Sequence, residues 1–85
     1  MLNEIKKMLG ITNNEFDNII TNFYQAALLD LASVGVKNPS LNDSLVYSAV
    51  MNYVMWQLDT TNSEMYGNAY ALQKDALRHY GEYNQ

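Results

Sequence analysis

The sequence predicts an all-α protein, a small helical bundle of three main helices plus a short N-terminal helix. Four stretches carry apolar residues at the three- and four-residue spacing of amphipathic helices, and no stretch alternates apolar and polar residues as a strand does. Gly10 separates the first two stretches, Gly35 and the only proline separate the second from the third, and a short polar segment separates the third from the fourth. A chain of 85 residues suits one domain. We therefore expect residues 1–85 to form a single helical domain.

The first two helices are predicted from apolar spacing and end signals. Leu2–Leu9 has helical spacing and is followed by Gly10, a good C-terminal glycine. Thr12–Glu15 then matches the capping-box pattern and is expected to open the second helix, which runs to Gly35. Its apolar stripe follows the amphipathic rule: Phe16, Ile19, Ile20, Phe23, Ala27, Leu31 and Val34.

The main connection, Gly35–Asn42, contains Pro39 and argues against continuous helix. The third helix is predicted over Ser44–Leu58. Ser40 or Asn42 is expected to cap it, with Asp43 near its positive end.

The fourth helix is predicted to open at a second capping-box match, Thr61–Glu64, and to stop at Gly81. Its apolar positions are Met65, Tyr66, Ala69, Tyr70, Leu72, Ala76, Leu77 and Tyr80. The four residues after Gly81 are expected to be a short frayed tail.

The third helix is the most informative segment, because it is apolar almost all round. Its polar residues Ser44, Ser48 and Asn52 recur every four positions and form one narrow stripe. A helix of this kind must be covered on more than one side. A small domain has little chain left for that purpose, so we expect another copy of the protein to provide the cover.

Two arcs of this helix can face inward. We expect the arc with small residues to pack inside the domain: Leu45, Val46, Ala49, Val50, Tyr53 and Trp56. The other arc is the predicted subunit interface, since methionine adapts well at contacts: Tyr47, Met51, Val54, Met55 and Leu58. On this reading, replacing Met51 by Glu and Val54 by Lys weakens assembly and leaves helicity intact. The alternative is that the short first helix covers the second arc within one chain.

Composition excludes several classes of function. The chain has no cysteine, which removes disulfide and thiolate chemistry and suits a cytoplasmic protein. Its net charge is −4, with only five Lys and Arg, so tight sequence-specific binding to DNA or RNA is not expected. The N-terminus does not resemble a signal peptide, and the apolar third helix is too short to cross a bilayer.

The sequence predicts no catalytic, cofactor-binding or metal-binding residues, and hence no enzyme. His79 is the only histidine, and Asp75 and Glu82 near it are read as a polar patch on one helix. The four glycines are isolated, so no phosphate-binding loop is present. The seven tyrosines are interpreted as contact residues, because interleaved basic residues for base stacking are missing.

The order of residues resembles the small helical head–tail connector (head-completion adaptor) proteins of tailed bacteriophages. The similarity lies in Phe16–Ile20 running into Ala26–Leu31, the Gly35-Val36 step, and Leu45–Tyr53. It continues from Tyr70 to Leu77 and at Gly81–Tyr83. The match covers most of the chain from Phe16 onward and consists mainly of apolar patterning.

The resemblance implies a structural virion protein of the head–tail junction, made in the bacterial host cytoplasm and linked to DNA packaging. Identical subunits would form a ring below the portal and extend the DNA channel. Implied partners are further copies of the chain, the portal protein and a stopper or tail-completion protein. DNA would pass through without sequence-specific binding, and no membrane is involved. The alternatives are a small helical protein–protein interaction module, such as a dimeric regulator or anti-repressor, and an enzyme accessory subunit. A helix-turn-helix nucleic-acid binder is a further alternative, but Gly35–Asn42 is long for the turn of that motif, and the helix after it has no Arg, Lys or Gln near its start.

Overall fold

The computed structural model of the chain describes residues 1–79, which form four α-helices. They are α1 (Leu2–Leu9), α2 (Asp17–Ser33), α3 (Ser44–Leu58) and α4 (Ser63–His79). Residues 1–79 contain no strand, so the predicted all-α class is confirmed. The predicted stop at Gly81 and the predicted tail lie outside the described residues. None of the four helices combines the length and apolar character needed to cross a membrane.

Helix α3 occupies the centre of the bundle. It packs against both α2 and α4, and the short α1 packs against α2 and α3. All four helices contribute to one apolar core: Ile5, Ile20, Ala27, Leu31, Val36, Val46, Ala49, Val50, Val54, Met55, Tyr70 and Leu77. The prediction that α3 is covered on more than one side is thus confirmed. Much of that cover comes from the chain's own helices.

The end of α1 follows the predicted glycine signal. Gly10 adopts a left-handed conformation with φ of 71°, and the Ile11 N–H donates to the Lys6 carbonyl at 2.9 Å. The Lys6 ammonium then pairs with the Asp17 carboxylate at 2.9 Å and donates to Asn14 at 3.1 Å. These contacts hold α1 against the start of α2.

The start of α2 differs from the prediction. The Asn13 side-chain oxygen accepts a hydrogen bond from the Glu15 N–H at 3.0 Å, which folds this segment into a turn. Helix α2 begins only at Asp17, after Phe16 at the N-cap. The capping box predicted at Thr12–Glu15 was wrong, because the asparagine side chain offers the backbone a competing local hydrogen bond.

Aspartates fix the two ends of α3. Asp43 is itself the N-cap and accepts from the Leu45 and Val46 N–H groups at 2.9 and 3.3 Å. The predicted caps were its neighbours, of which Ser40 instead accepts from the Asn42 N–H at 3.1 Å. At the other end, one oxygen of Asp59 accepts from the N–H groups of residues 61 and 62. These bonds shape the turn into α4.

Candidate functional site

The structure places the predicted interface residues unequally. Val54 and Met55 are 0% and 1% exposed and belong to the subunit's own core. Assigning these two to a surface was wrong, because spacing along α3 does not reveal where the other helices pack. Tyr47, Met51 and Leu58 are only partly buried, so their role in a subunit contact stays a prediction.

Helix α1 provides part of the cover over this arc, as in the alternative left open by the sequence. Its Ile5 is fully buried in the apolar core, and α1 packs directly against α3. The pKa of Tyr47 is raised, first by burial and then by the negative charge of Glu4 in α1. The N-terminal helix thus lies close to the first turns of α3.

Apolar surface is exposed elsewhere on the subunit. Among residues 1–79, eight large apolar side chains are exposed: Met8, Phe16, Ile19, Leu29, Leu45, Trp56, Met65 and Leu72. Leu29 on α2 and Leu72 on α4 are the most exposed, at 73% and 74%. Scattered exposed apolar side chains are ordinary, whereas contiguous ones mark contact surfaces. Those that lie on the same face of the subunit are therefore the candidates for a contact surface.

An aromatic groove lies on the side of the bundle where α4 approaches α2. It has a volume of ≈ 360 Å³ and is lined by Asp30, Tyr53, Trp56, Gln57, Gly67, Tyr70, Ala71 and Lys74. The rings of Tyr53 and Tyr70 meet edge to face, with centroids 5.1 Å apart. The ring of Trp56 is stacked at 6.3 Å from that of Tyr70. Such a surface favours apolar or sulfur-containing side chains.

A glycine in α4 allows the groove to form. A side-chain carbon at Gly67 would lie 2.8 Å from the Nε1 atom of Trp56, closer than real contacts of this kind. The indole therefore occupies space that any other residue at position 67 would take. Gly67 stood out in the sequence as the only glycine inside a long helix, but nothing there identified its partner.

One wall of the groove is held by a polar cluster that joins α2 to α4. The Tyr70 hydroxyl donates to Asp30 Oδ2 at 2.6 Å, and the Lys74 ammonium pairs with the same oxygen at 2.9 Å. Burial raises the pKa of Asp30, but these two donors outweigh it and the net pKa is lowered. Burial and the Asp30 contact raise the pKa of Tyr70 far above its ordinary value. Tyr70 therefore remains a hydrogen-bond donor and Asp30 an anion.

The narrow polar stripe of α3 faces α4. Gln73 accepts from the Asn52 amide at 2.6 Å and donates to the Ser48 hydroxyl at 2.8 Å. The stripe thus forms a side-chain contact between the two helices. Its four-residue spacing was visible in the sequence, but the partner glutamine was not.

The polar residues near His79 form contacts along one helix. His79 Nδ1 lies 2.9 Å from the Asp75 carbonyl oxygen, and the Asp75 carboxylate pairs with Arg78 at 3.2 Å. Glu82, the third member of the predicted patch, lies outside the described residues. Within residues 1–79, no group of three His, Cys, Asp or Glu side chains is arranged to hold a metal ion.

Comparison with known proteins gives one informative match. The family model described as "Phage connector protein" matches residues 1–74. The matched region includes α1, α2, α3 and the part of α4 that lines the groove. No curated protein and no solved structure matches the chain.

Proposed function

Because the chain belongs to the phage connector protein family, we propose that it is a ring-forming subunit of the phage head–tail junction. In this proposal, identical subunits assemble head to tail below the portal and extend the channel through which DNA passes. The free face of the ring docks a stopper or tail-completion protein. The chain acts by assembly and docking, without catalysis. The observation that carries the proposal is the family match over residues 1–74.

The exposed apolar side chains support an assembly role. Each large apolar side chain moved from water into a contact contributes about 1.5–3 kcal/mol. In the described part of the chain, eight such side chains are exposed, and the domain is small enough to be only marginally stable alone. Contacts with further copies or with neighbouring connector components would remove part of this surface from water.

The net charge suits a channel for DNA. At −4, the subunit has little long-range attraction for phosphate, and three of its five cations already pair with an acid. A wall that attracts phosphate weakly lets DNA slide through it. Tight binding of duplex DNA to the assembled protein at physiological salt would contradict this part of the proposal.

The partly buried side chains of Tyr47, Met51 and Leu58 are proposed as a second contact surface. They lie on α3 and extend the arc whose other members are in the core. In a ring, such a surface is available either to the neighbouring subunit or to the next connector component. Met51→Gln replaces an apolar side chain by a polar one of similar length. It tests this contact surface with little effect on the core.

Negative-stain electron microscopy of the purified protein over a concentration series tests the proposed function. We expect annular particles with a central channel, and a larger annular fraction at higher concentration. Compact dimers without a channel would contradict the proposal and favour a dimeric regulator.

A further inference from the structure

We propose that an apolar ridge on α4 of one subunit inserts into the aromatic groove of the next copy. The ridge consists of Met65, Ala69, Leu72 and Ala76. The groove is the aromatic groove described above, whose lining includes Tyr53 and Trp56. This inference rests on the proposed function, in that it names the surfaces by which the ring closes.

The ridge is a regular feature of α4. Its four residues are spaced by four, three and four positions, which is the spacing of a coiled-coil seam. Met65 and Leu72 are 57% and 74% exposed, and none of the four residues carries a charge. Leu45 of α3 lies beside the ridge, since it shares a depression of ≈ 130 Å³ with Ala76. Because these side chains are contiguous along one line of the helix, they form a surface suited to contact with a partner.

The ridge and the groove lie on opposite flanks of the same helix. Helix α4 contributes Gly67, Tyr70, Ala71 and Lys74 to the groove. At about 100° per residue, the mean direction of these four residues differs from that of the ridge by roughly half a turn. One subunit therefore cannot place its ridge in its own groove.

The two surfaces are chemically complementary. Methionine and leucine side chains pack well on aromatic rings, and the thioether sulfur makes a favourable contact at a ring edge. The Trp56 ring packs over Gly67 and is still 39% exposed, so it is available for contact in the groove. The charges at the groove, Asp30 and Lys74, neutralise each other at 2.9 Å, so an apolar occupant does not bury an unpaired charge.

This arrangement determines the symmetry of assembly. A twofold dimer requires one patch that pairs with itself, whereas a ridge and a groove on opposite flanks pair head to tail. Each subunit then uses its ridge on one neighbour and its groove on the other. Repetition gives a closed ring, as the proposed function requires, when the rotation between neighbours closes. A second copy of this chain is thus the occupant that fits the groove.

Disulfide trapping tests the contact directly, because the chain has no native cysteine. Leu72→Cys places a thiol on the ridge, and Gln57→Cys places one in the exposed lining of the groove. We expect the double variant to give a ladder of cross-linked species beyond the dimer on mild oxidation. The matched control combines Gln57→Cys with Leu29→Cys, which is equally exposed but lies on α2. An equal ladder from the control, or none beyond the dimer from the test variant, would overturn the inference.

A second pair of variants separates this inference from the proposed function. Leu72→Glu is expected to weaken assembly by about 100-fold, because it buries a charge in an apolar contact. Leu29→Glu is expected to assemble as the unchanged protein does. Rings that form equally well from the unchanged protein and from Leu72→Glu would contradict the role of the ridge in the subunit contact. They would still support the proposed ring. If disulfide-linked species beyond the dimer form but rings do not, the contact between ridge and groove is supported and the proposed ring is contradicted.

Discussion

The indole ring of Trp56 lies against the backbone of Gly67, so closely that a side-chain carbon there would be 2.8 Å from its Nε1 atom. This approach sets the distance between the end of α3 and the start of α4. Ser63, at the first turn of α4, donates to the Trp56 carbonyl at 3.0 Å and fixes the same junction. Both Trp56 and Gly67 line the aromatic groove.

Replacing Gly67 by Ala is expected to displace the indole. Alanine favours the helix by about 1 kcal/mol over glycine, but forcing a methyl group into an occupied site costs about 1–3 kcal/mol. We therefore expect a net loss of about 1 kcal/mol in the free energy of unfolding. Trp56 is the only tryptophan, so its fluorescence should shift to the red as the ring moves into water.

The control for this prediction is the same substitution in a Trp56→Ala background. With the ring removed, Gly67→Ala should stabilise the protein by about 0.5–1 kcal/mol, since only helix propensity remains. The same destabilisation by Gly67→Ala with and without the Trp56 ring would contradict the contact between Trp56 and Gly67.

The Asp30 cluster predicts a pH dependence of stability. The pKa of Asp30 is lowered from its ordinary value of 3.8, so its contribution is present above that pH and is lost as the pH falls through the folded pKa. The carboxylate is about one-third exposed, so solvent screening limits the loss in Asp30→Asn to about 0.5–1 kcal/mol at neutral pH.

Urea denaturation at several pH values measures this effect. The difference between the unchanged protein and Asp30→Asn should shrink as the pH falls below 3.8. Asp75→Asn removes an exposed ion pair and should change stability by less than about 0.5 kcal/mol. A difference for Asp30→Asn that does not depend on pH would show that its charge plays no part.

Gln73→Ala is expected to loosen the contact between α3 and α4. The substitution leaves the Asn52 amide and the Ser48 hydroxyl without their partner, at a cost of about 1–2 kcal/mol in the free energy of unfolding. Gln25→Ala, on the exposed surface of α2, is the matched control and should change stability by less than about 0.5 kcal/mol. Equal effects of the two substitutions, measured by thermal unfolding, would show that the Gln73 bridge does not stabilise the bundle.

Sequence reasoning identified the elements of this fold better than their packing. The bounds of α1 and α3 followed from apolar spacing and from end signals such as Gly10. Side-chain hydrogen bonds in the turns, such as that of Asn13, compete with helix starts and are not visible as spacing. Which arc of α3 is buried depends on how α1, α2 and α4 pack around it, so spacing alone misplaced Val54 and Met55.

The burial of Val54 changes the outcome expected for the combined variant Met51→Glu, Val54→Lys, for which the sequence predicted weaker assembly with intact helicity. Val54 is fully buried, and an unpaired lysine there costs several kcal/mol, about as much as the whole stability of a small domain. We therefore expect loss of the far-ultraviolet helical signal, not merely weaker assembly. Leu72→Glu, on the exposed ridge, should retain that signal in full. If the double variant kept its far-ultraviolet helical signal, this arc of α3 would have to lie at the surface of the subunit.

We propose that this connector-family chain assembles with itself into a closed ring. Light scattering over a concentration series, at moderate salt, measures the mass of the assembly directly. We expect a single closed species larger than a dimer, whose mass stops growing as concentration increases. A monomer or a dimer at every concentration would contradict it.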